Sequence, residues 1–120
     1  MPEAILVVDD QPELRLLIRL TLQTVGKVAV AGSSAEMRER IAAERPRVIV
    51  LDVSLGHENG LEICSALKAD PGTRDIRILL LSAFVQEADI AAGKAAGADH
   101  YMAKPFAPRD LQAAVAALLA

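Results

Sequence analysis

The sequence has very few aromatic residues, one cysteine and no long apolar run. Aromatic residues make up 2% of the 120 residues, so the core must be aliphatic, built from Leu, Val, Ile and Ala. The lone Cys64 excludes an internal disulfide and a cysteine-based zinc cluster, and it fits a reducing compartment. No apolar run approaches the roughly 20 residues of a membrane helix, and Met1-Pro2-Glu3-Ala4 lacks the basic region of a secretory leader. We therefore expect a soluble, cytoplasmic protein with no membrane partner.

The chain also lacks a basic surface pattern. Its net charge is −3 and its 13 Lys and Arg residues are scattered, so we expect no direct nucleic-acid binding. A length of 120 residues is that of one ordinary domain. We therefore treat residues 1–120 as one domain.

Short apolar runs alternate with helical patterns along the whole chain. The runs predict five strands, at Ile5–Val8, Val28–Val30, Val48–Leu51, Ile78–Leu81 and Tyr101–Met102. The helical patterns fall at Pro12–Val25, Ala35–Glu44, Gly60–Lys68, Glu87–Ala96 and Pro108–Leu119. Gly26 and Gly97 stand where a helix end favours a left-handed residue. Apolar strands that do not alternate are typical of a parallel sheet covered on both faces, which predicts a doubly wound α/β fold.

Polar residues stand where four of these strands end. Asp9 and Asp10 follow the first strand, Asp52 ends the third, Ser82 ends the fourth and Lys104 follows the fifth. Ligands of open α/β sheets bind outside the carboxyl ends of the strands. Three carboxylates at one sheet edge would repel one another without a cation, and their oxygens suit Mg²⁺, or Mn²⁺ in its place. With that charge neutralised, a carboxylate can attack a phosphoryl donor.

Four motifs in order resemble the response regulator receiver family: Val7-Val8-Asp9-Asp10, Val50-Leu51-Asp52 with Gly60 beyond it, Leu81-Ser82-Ala83, and Lys104-Pro105-Phe106. The resemblance spans the chain. It implies a flavodoxin-like sheet of five parallel strands in the order 2-1-3-4-5, with five helices. It also implies a two-component signalling switch rather than an enzyme with an external substrate.

The resemblance assigns roles to the polar residues. It makes Asp52 the acceptor of a phosphoryl group. It makes Asp10 and Asp52 direct ligands of Mg²⁺, with Asp9 acting partly through water and the backbone carbonyl of Ser54 completing the protein ligands.

The same resemblance implies how the switch responds. Ser82 closes on the phosphoryl group, Lys104 pairs with it, and the small Ala83 leaves access to it. Tyr101 matches the aromatic residue that turns inward on activation, which alters the surface of the fourth helix, fifth strand and fifth helix. The Lys104-Pro105 bond is cis in the family, as only X-Pro bonds permit cheaply.

A histidine kinase or a histidine phosphotransfer protein is the implied phosphodonor. The first helix has a face of helical spacing that should pack on the sheet: Leu14, Leu17, Ile18, Thr21, Leu22 and Val25. Leu16 and Leu20 lie about 200° away from it. We expect Leu16, Leu20 and Phe106 to form a docking patch with Arg15 and Arg19 at its rim, although two isolated surface leucines explain the pattern equally well.

Two other classes of protein stay open. A pseudo-receiver binds partners without phosphorylation, but it has usually lost the acceptor, an acid or the lysine. A dehalogenase-like phosphatase also uses an aspartate after a strand, but it needs a second acid where this chain has Ser54. Gly56 stands where receivers usually have proline, which predicts a freer loop. The downstream effector cannot be read from the sequence.

Overall fold

The apolar runs form one parallel sheet in the computed structural model, which describes residues 4–120. Its strands are β1 (Ala4–Val8), β2 (Lys27–Ala31), β3 (Val48–Asp52), β4 (Arg77–Ser82) and β5 (His100–Ala103). The sheet order is β2-β1-β3-β4-β5, and every pairing is parallel. The expected strand order and fold are confirmed. Residues 1–3, which begin the N-terminal segment considered above, lie outside the described residues.

Five helices connect the strands. They are α1 (Pro12–Leu22), α2 (Ser34–Ala43), α3 (Gly60–Ala69), α4 (Glu87–Ala95) and α5 (Pro108–Leu119). The prediction for α1 was too long, because the amides of Val25 and Gly26 both bond to the Leu22 carbonyl in a closing turn. Gly26 is not left-handed, whereas Gly97 has a φ of 94° just after α4. Within residues 4–120, no helix has the length and apolar character needed to cross a bilayer.

The core lies on both faces of the sheet, because neighbouring strand residues point to opposite sides. Leu6 and Val8 pack in the cluster that includes Met37 of α2 and Cys64 of α3. The other face carries Ile5, Val7, Ile18, Leu22, Leu111 and Val115, the last four from α1 and α5. Cys64 is a buried free thiol, and burial raises its pKa to about 11. Aliphatic residues therefore form both cores, as the composition predicts.

The prediction for the sheet-facing side of α1 was wrong at Leu17. Ile18, Thr21 and Leu22 are buried, but the Leu17 side chain is 47% exposed. One helical residue turns about 100°, so Ile18 occupies the position against the sheet and its neighbour Leu17 turns away. Leu17 therefore adds to the apolar outer surface of α1.

A partly buried ion pair fixes the start of β5. The Asp99 carboxylate accepts hydrogen bonds from the Lys68 ammonium at 2.9 Å, the Arg77 guanidinium at 3.3 Å and the Ile78 amide at 2.8 Å. Burial alone would raise the pKa of Asp99, but these donors outweigh it and leave the pKa below its usual value. The contact joins α3, β4 and β5 and so helps to place the segment that leads to Lys104.

A short hairpin with two residues in each strand follows β3, and the sequence analysis did not predict it. Ser54–Leu55 pairs antiparallel with Glu58–Asn59. Gly56 has a φ of 60°, a conformation that favours glycine, at the first position of the two-residue turn. Leu55 is buried beneath the hairpin. The segment around Gly56 is therefore a hairpin, which the sequence analysis did not predict.

Candidate functional site

The polar residues after the strands meet at one edge of the sheet. Asp9, Asp52 and Ser82 are buried there, whereas Asp10 is exposed. One carboxylate oxygen from each of Asp9, Asp10 and Asp52 lies within 4.8 Å of the others. The carboxyl ends of parallel strands meet at the same edge, so residues more than 40 positions apart become neighbours. The structure brings together the acidic cluster that the sequence predicted.

Lys104 supplies the positive charge that faces this cluster. Its ammonium lies 3.0 Å from Asp52 Oδ2 and 3.9 Å from Asp9 Oδ2. The Lys104 amide donates to the Ser82 carbonyl at 2.8 Å, which joins the end of β5 to the end of β4. The Lys104-Pro105 bond is cis, as the resemblance implied. One lysine opposite three carboxylates leaves an excess of negative charge.

Asp9 shows that this excess is not fully compensated within the protein. Its Oδ1 accepts a hydrogen bond from the Gln11 amide at 2.8 Å. Its Oδ2 is buried and has no hydrogen-bond partner among residues 4–120. Burial raises the pKa of Asp9 to about 6; the Gln11 amide opposes this, the Asp52 charge adds to it, and Lys104 opposes it again. A buried oxygen without a hydrogen bond, beside two more carboxylates, fits a divalent cation such as Mg²⁺.

Close backbone packing holds Asp52 in place. Its Oδ1 accepts a hydrogen bond from the Ser54 amide at 3.0 Å. The Gly60 amide bonds to the Val53 carbonyl at 2.7 Å, and a Cβ at Gly60 would lie 2.4 Å from the Asp52 carbonyl oxygen. Only glycine fits this approach. The Asp52 carboxylate is therefore oriented before any ligand arrives.

Ser82 and Tyr101 are connected through the segment after β4. The Ser82 hydroxyl oxygen accepts a hydrogen bond from the Phe84 amide at 2.9 Å. The Tyr101 hydroxyl donates to the Phe84 carbonyl at 2.7 Å. The Tyr101 ring lies against Gly93 of α4, where a Cβ would come within 2.5 Å of the ring. Sequence reasoning missed Gly93, because a glycine within a helix gives no sign of the ring that needs its space.

The residues expected to form a docking patch divide into two neighbouring areas. Leu16 and Leu20 are about half exposed, and Leu16 lines a shallow depression with Arg15 and Arg19. An open hollow of about 420 Å³ lies beside the acidic cluster. It is lined by Leu14, Leu17, Ala83, Lys104, Pro105 and Phe106. Leu17 lies between the two areas, three residues from Leu14 and three from Leu20. That helical spacing is the sequence signal that could have placed Leu17 in the patch.

Comparison with known proteins agrees with this geometry. Residues 5–116 match the family model described as the response regulator receiver domain. The chain is 37% identical over 120 residues to the DNA-binding response regulator MtrA of Mycolicibacterium smegmatis, covering 99% of this chain and 51% of that protein. It thus spans about half the length of the curated relatives it matches.

Solved structures extend the comparison to three dimensions. The BeF3-activated receiver domain of DrrB superposes with a TM-score of 0.89 and 32% identity, covering 99% of this chain and 98% of that chain. A response regulator from Burkholderia pseudomallei has a TM-score of 0.82 and 29% identity, covering 93% of this chain and 65% of that chain. That structure contains a phosphorylated aspartic acid and a calcium ion.

Proposed function

Because the chain belongs to the response regulator receiver family, we propose that its 120 residues form one receiver domain whose phosphoacceptor is Asp52. The phosphoryl group comes from a phosphohistidine of a histidine kinase or a histidine phosphotransfer protein. The observation that carries this proposal is the contact of buried Asp52 with Lys104, next to the Asp9 oxygen that has no hydrogen-bond partner among residues 4–120. A phosphorylated aspartic acid in the Burkholderia relative supports the same chemistry.

The chemistry follows from the groups around Asp52. A carboxylate oxygen of Asp52 forms a bond to phosphorus while the bond to the donor breaks, and the leaving group takes the electron pair. Lys104 faces the negative charge that spreads over the phosphoryl oxygens, and the Ser82 hydroxyl donates to one of them. Asp9, Asp10, Asp52 and the Ser54 carbonyl would hold Mg²⁺. When bound, the ion would supply positive charge that neutralises the phosphoryl group and the carboxylates around it.

Metal-dependent labelling tests the proposed function. Acetyl phosphate with Mg²⁺ should add the mass of one phosphoryl group to the protein, measured by intact-protein mass spectrometry. Chelating Mg²⁺ should reduce the labelling to background, because the carboxylates then repel the incoming phosphate. Labelling that proceeds unchanged without a divalent cation would contradict the assignment of the metal site.

Phosphorylation then changes the surface of α4, β5 and α5. The phosphoryl group draws Ser82 and Lys104 toward it. Ser82 and Tyr101 both bond to the backbone of Phe84, so a shift at one is transmitted to the other. The switch is a shift between two populations of this surface.

Gly93→Ala tests the position of Tyr101. The new methyl group would overlap the ring and break the bond from Tyr101 to Phe84. We expect a loss of about 1 kcal/mol in unfolding free energy, since overpacking costs ~1–3 kcal/mol and the better helix propensity of alanine returns ~1 kcal/mol. In a Tyr101→Ala background the same substitution should instead stabilise the protein. Equal effects in both backgrounds, measured by chemical denaturation, would contradict the contact.

The fluorescence of Tyr101 reports on the position of its side chain. Tyr101 is the only tyrosine, and the chain has no tryptophan. Tyrosine fluorescence should change on phosphorylation of the wild type. The change should be lost in Gly93→Ala.

The outer surface of α1 is the proposed docking site for the phosphodonor. Leu16 and Leu20 contribute to it, and Phe106 contributes from the neighbouring hollow, which Leu17 of α1 also lines. The double variant Leu16→Ala/Leu20→Ala should slow transfer from a histidine kinase about tenfold, because about 1.4 kcal/mol of contact is lost. Labelling by acetyl phosphate serves as the control and should not change. Equal transfer rates from the kinase would remove these leucines from the interface.

The alternatives account for fewer observations. A pseudo-receiver has no use for Lys104 at 3.0 Å from an intact acceptor. A dehalogenase-like phosphatase needs a second acid at position 54, where Ser54 stands instead. We propose that this stretch acts in the cytoplasm as a signalling switch and does not itself contact DNA. The MtrA relative is named as DNA-binding, and this chain spans about half of it.

A further inference from the structure

The hairpin Ser54–Asn59 covers one side of the acidic site. The Ser54 amide is bonded to Asp52, and a Cβ built on Gly56 would lie 3.7 Å from Asp10 Oδ2. The hairpin therefore bonds to one of the three carboxylates and runs close to a second. Its position decides where the Ser54 carbonyl stands relative to them.

Two-residue strands are too short to hold a hairpin by their own pairing. The buried side chain of Leu55 anchors one strand to the core. Gly56 has no fixed φ of its own, unlike the proline that receivers usually have at this place. The second strand therefore needs an anchor of another kind.

Glu58 provides that anchor by reaching the beginning of α2. Its carboxylate accepts hydrogen bonds from the Ser34 amide, at 2.9 Å, and from the Ser34 hydroxyl. Ser34 is the first residue of α2, where the helix dipole and the free amides favour a negative charge. The two bonds lower the pKa of Glu58, so it is charged at neutral pH. The contact joins residues 24 positions apart and belongs to neither core.

We propose that Glu58 and Ser34 form a latch that holds the hairpin against α2 and so positions the Ser54 carbonyl for the divalent cation. Both are positioning residues. The latch rests on the proposed metal site and replaces the order that a proline would give the loop. It makes affinity for the cation depend on a contact that involves none of the metal ligands.

The test measures Mg²⁺ binding to the full chain by titration calorimetry. Partners of metal ligands typically change affinity 10–100-fold. Glu58 and Ser34 do not bond to a metal ligand directly, so their effect should be smaller. We expect Glu58→Ala to weaken Mg²⁺ binding about fivefold and Ser34→Ala about threefold. The double variant should be no weaker than Glu58→Ala alone, because the two side chains share one contact. Ser34→Thr keeps the hydroxyl and should restore binding, while Ser65→Ala, at an exposed serine of α3, is the matched control.

A second measurement needs no metal. Amide hydrogen exchange of Ser54 and Leu55 in the metal-free protein should become about tenfold faster in both latch variants, while the amides of β3 keep their protection. A merely structural contact would instead lower protection throughout the sheet.

The outcomes are distinct. Unchanged Mg²⁺ affinity in both variants would overturn the proposal. So would weakening by Glu58→Ala with none by Ser34→Ala. Ser34→Ala removes the hydroxyl bond of the latch, keeps the amide bond and changes no charge, so an effect seen only when Glu58 loses its charge would be electrostatic. If the wild type binds no Mg²⁺, the proposed function fails, and the exchange experiment still decides whether the latch holds the hairpin.

Discussion

Replacing Asp52 by alanine should abolish phosphorylation by acetyl phosphate and Mg²⁺. Asp52 is buried, faces Lys104 at 3.0 Å and is oriented by the Ser54 amide. A hydrocarbon side chain offers no oxygen to attack phosphorus, and the Lys104 ammonium lies 3.9 Å from Asp9 Oδ2, farther than the 3.0 Å that separates it from Asp52. We therefore expect no added phosphoryl mass at times when the wild type is fully labelled.

The matched control is Asp75→Ala. Asp75 is an exposed aspartate before β4, at the opposite end of the sheet, and its replacement should leave labelling at the wild-type rate. Thermal unfolding shows whether each variant is folded. Labelling of folded Asp52→Ala at the wild-type rate would refute the assignment.

Replacing Lys104 by methionine should slow phosphorylation about 100-fold, because removing a positioned group that stabilises transition-state charge typically costs 10²–10³ in rate. Methionine has a similar length but no charge. The Lys104 ammonium pairs with both Asp52 and Asp9. Among the described residues no other cation forms an ion pair with these two carboxylates, so none can replace it.

The control for this prediction is Lys94→Met, an exposed lysine of α4 that lies outside the site. The initial rate of labelling is measured by intact mass at fixed acetyl phosphate and Mg²⁺. Rates that fall equally in Lys104→Met and Lys94→Met would mean that net charge, and not the position of Lys104, governs the reaction.

Much of the fold follows from local patterns. The apolar runs mark the five strands because both faces of a parallel sheet must be covered, and the predicted ends of α2 to α5 lie within one residue of those observed. The acidic cluster could be predicted for a related reason. Parallel strands bring their carboxyl ends to one edge, so Asp9, Asp52 and Lys104 had to meet there.

The parts that were missed depend on contacts that no local pattern carries. The latch joins Ser34 to Glu58 across 24 residues through one carboxylate. The need for Gly93 appears only when the Tyr101 ring is placed against α4. Leu17 was assigned to the core because it shares a helical spacing with Leu14 and Ile18, although the buried stripe is narrower than that spacing.

Locating the phosphoryl group tests the central claim most directly. Borohydride reduces an aspartyl phosphate to homoserine, and trypsin should release residues 48–68, which contain one aspartate, Asp52, and one histidine, His57. Fragmentation of this peptide from protein treated with acetyl phosphate and Mg²⁺ should show homoserine at position 52. Homoserine at position 9 or 10, or a borohydride-resistant phosphoryl group on His57, would contradict the account.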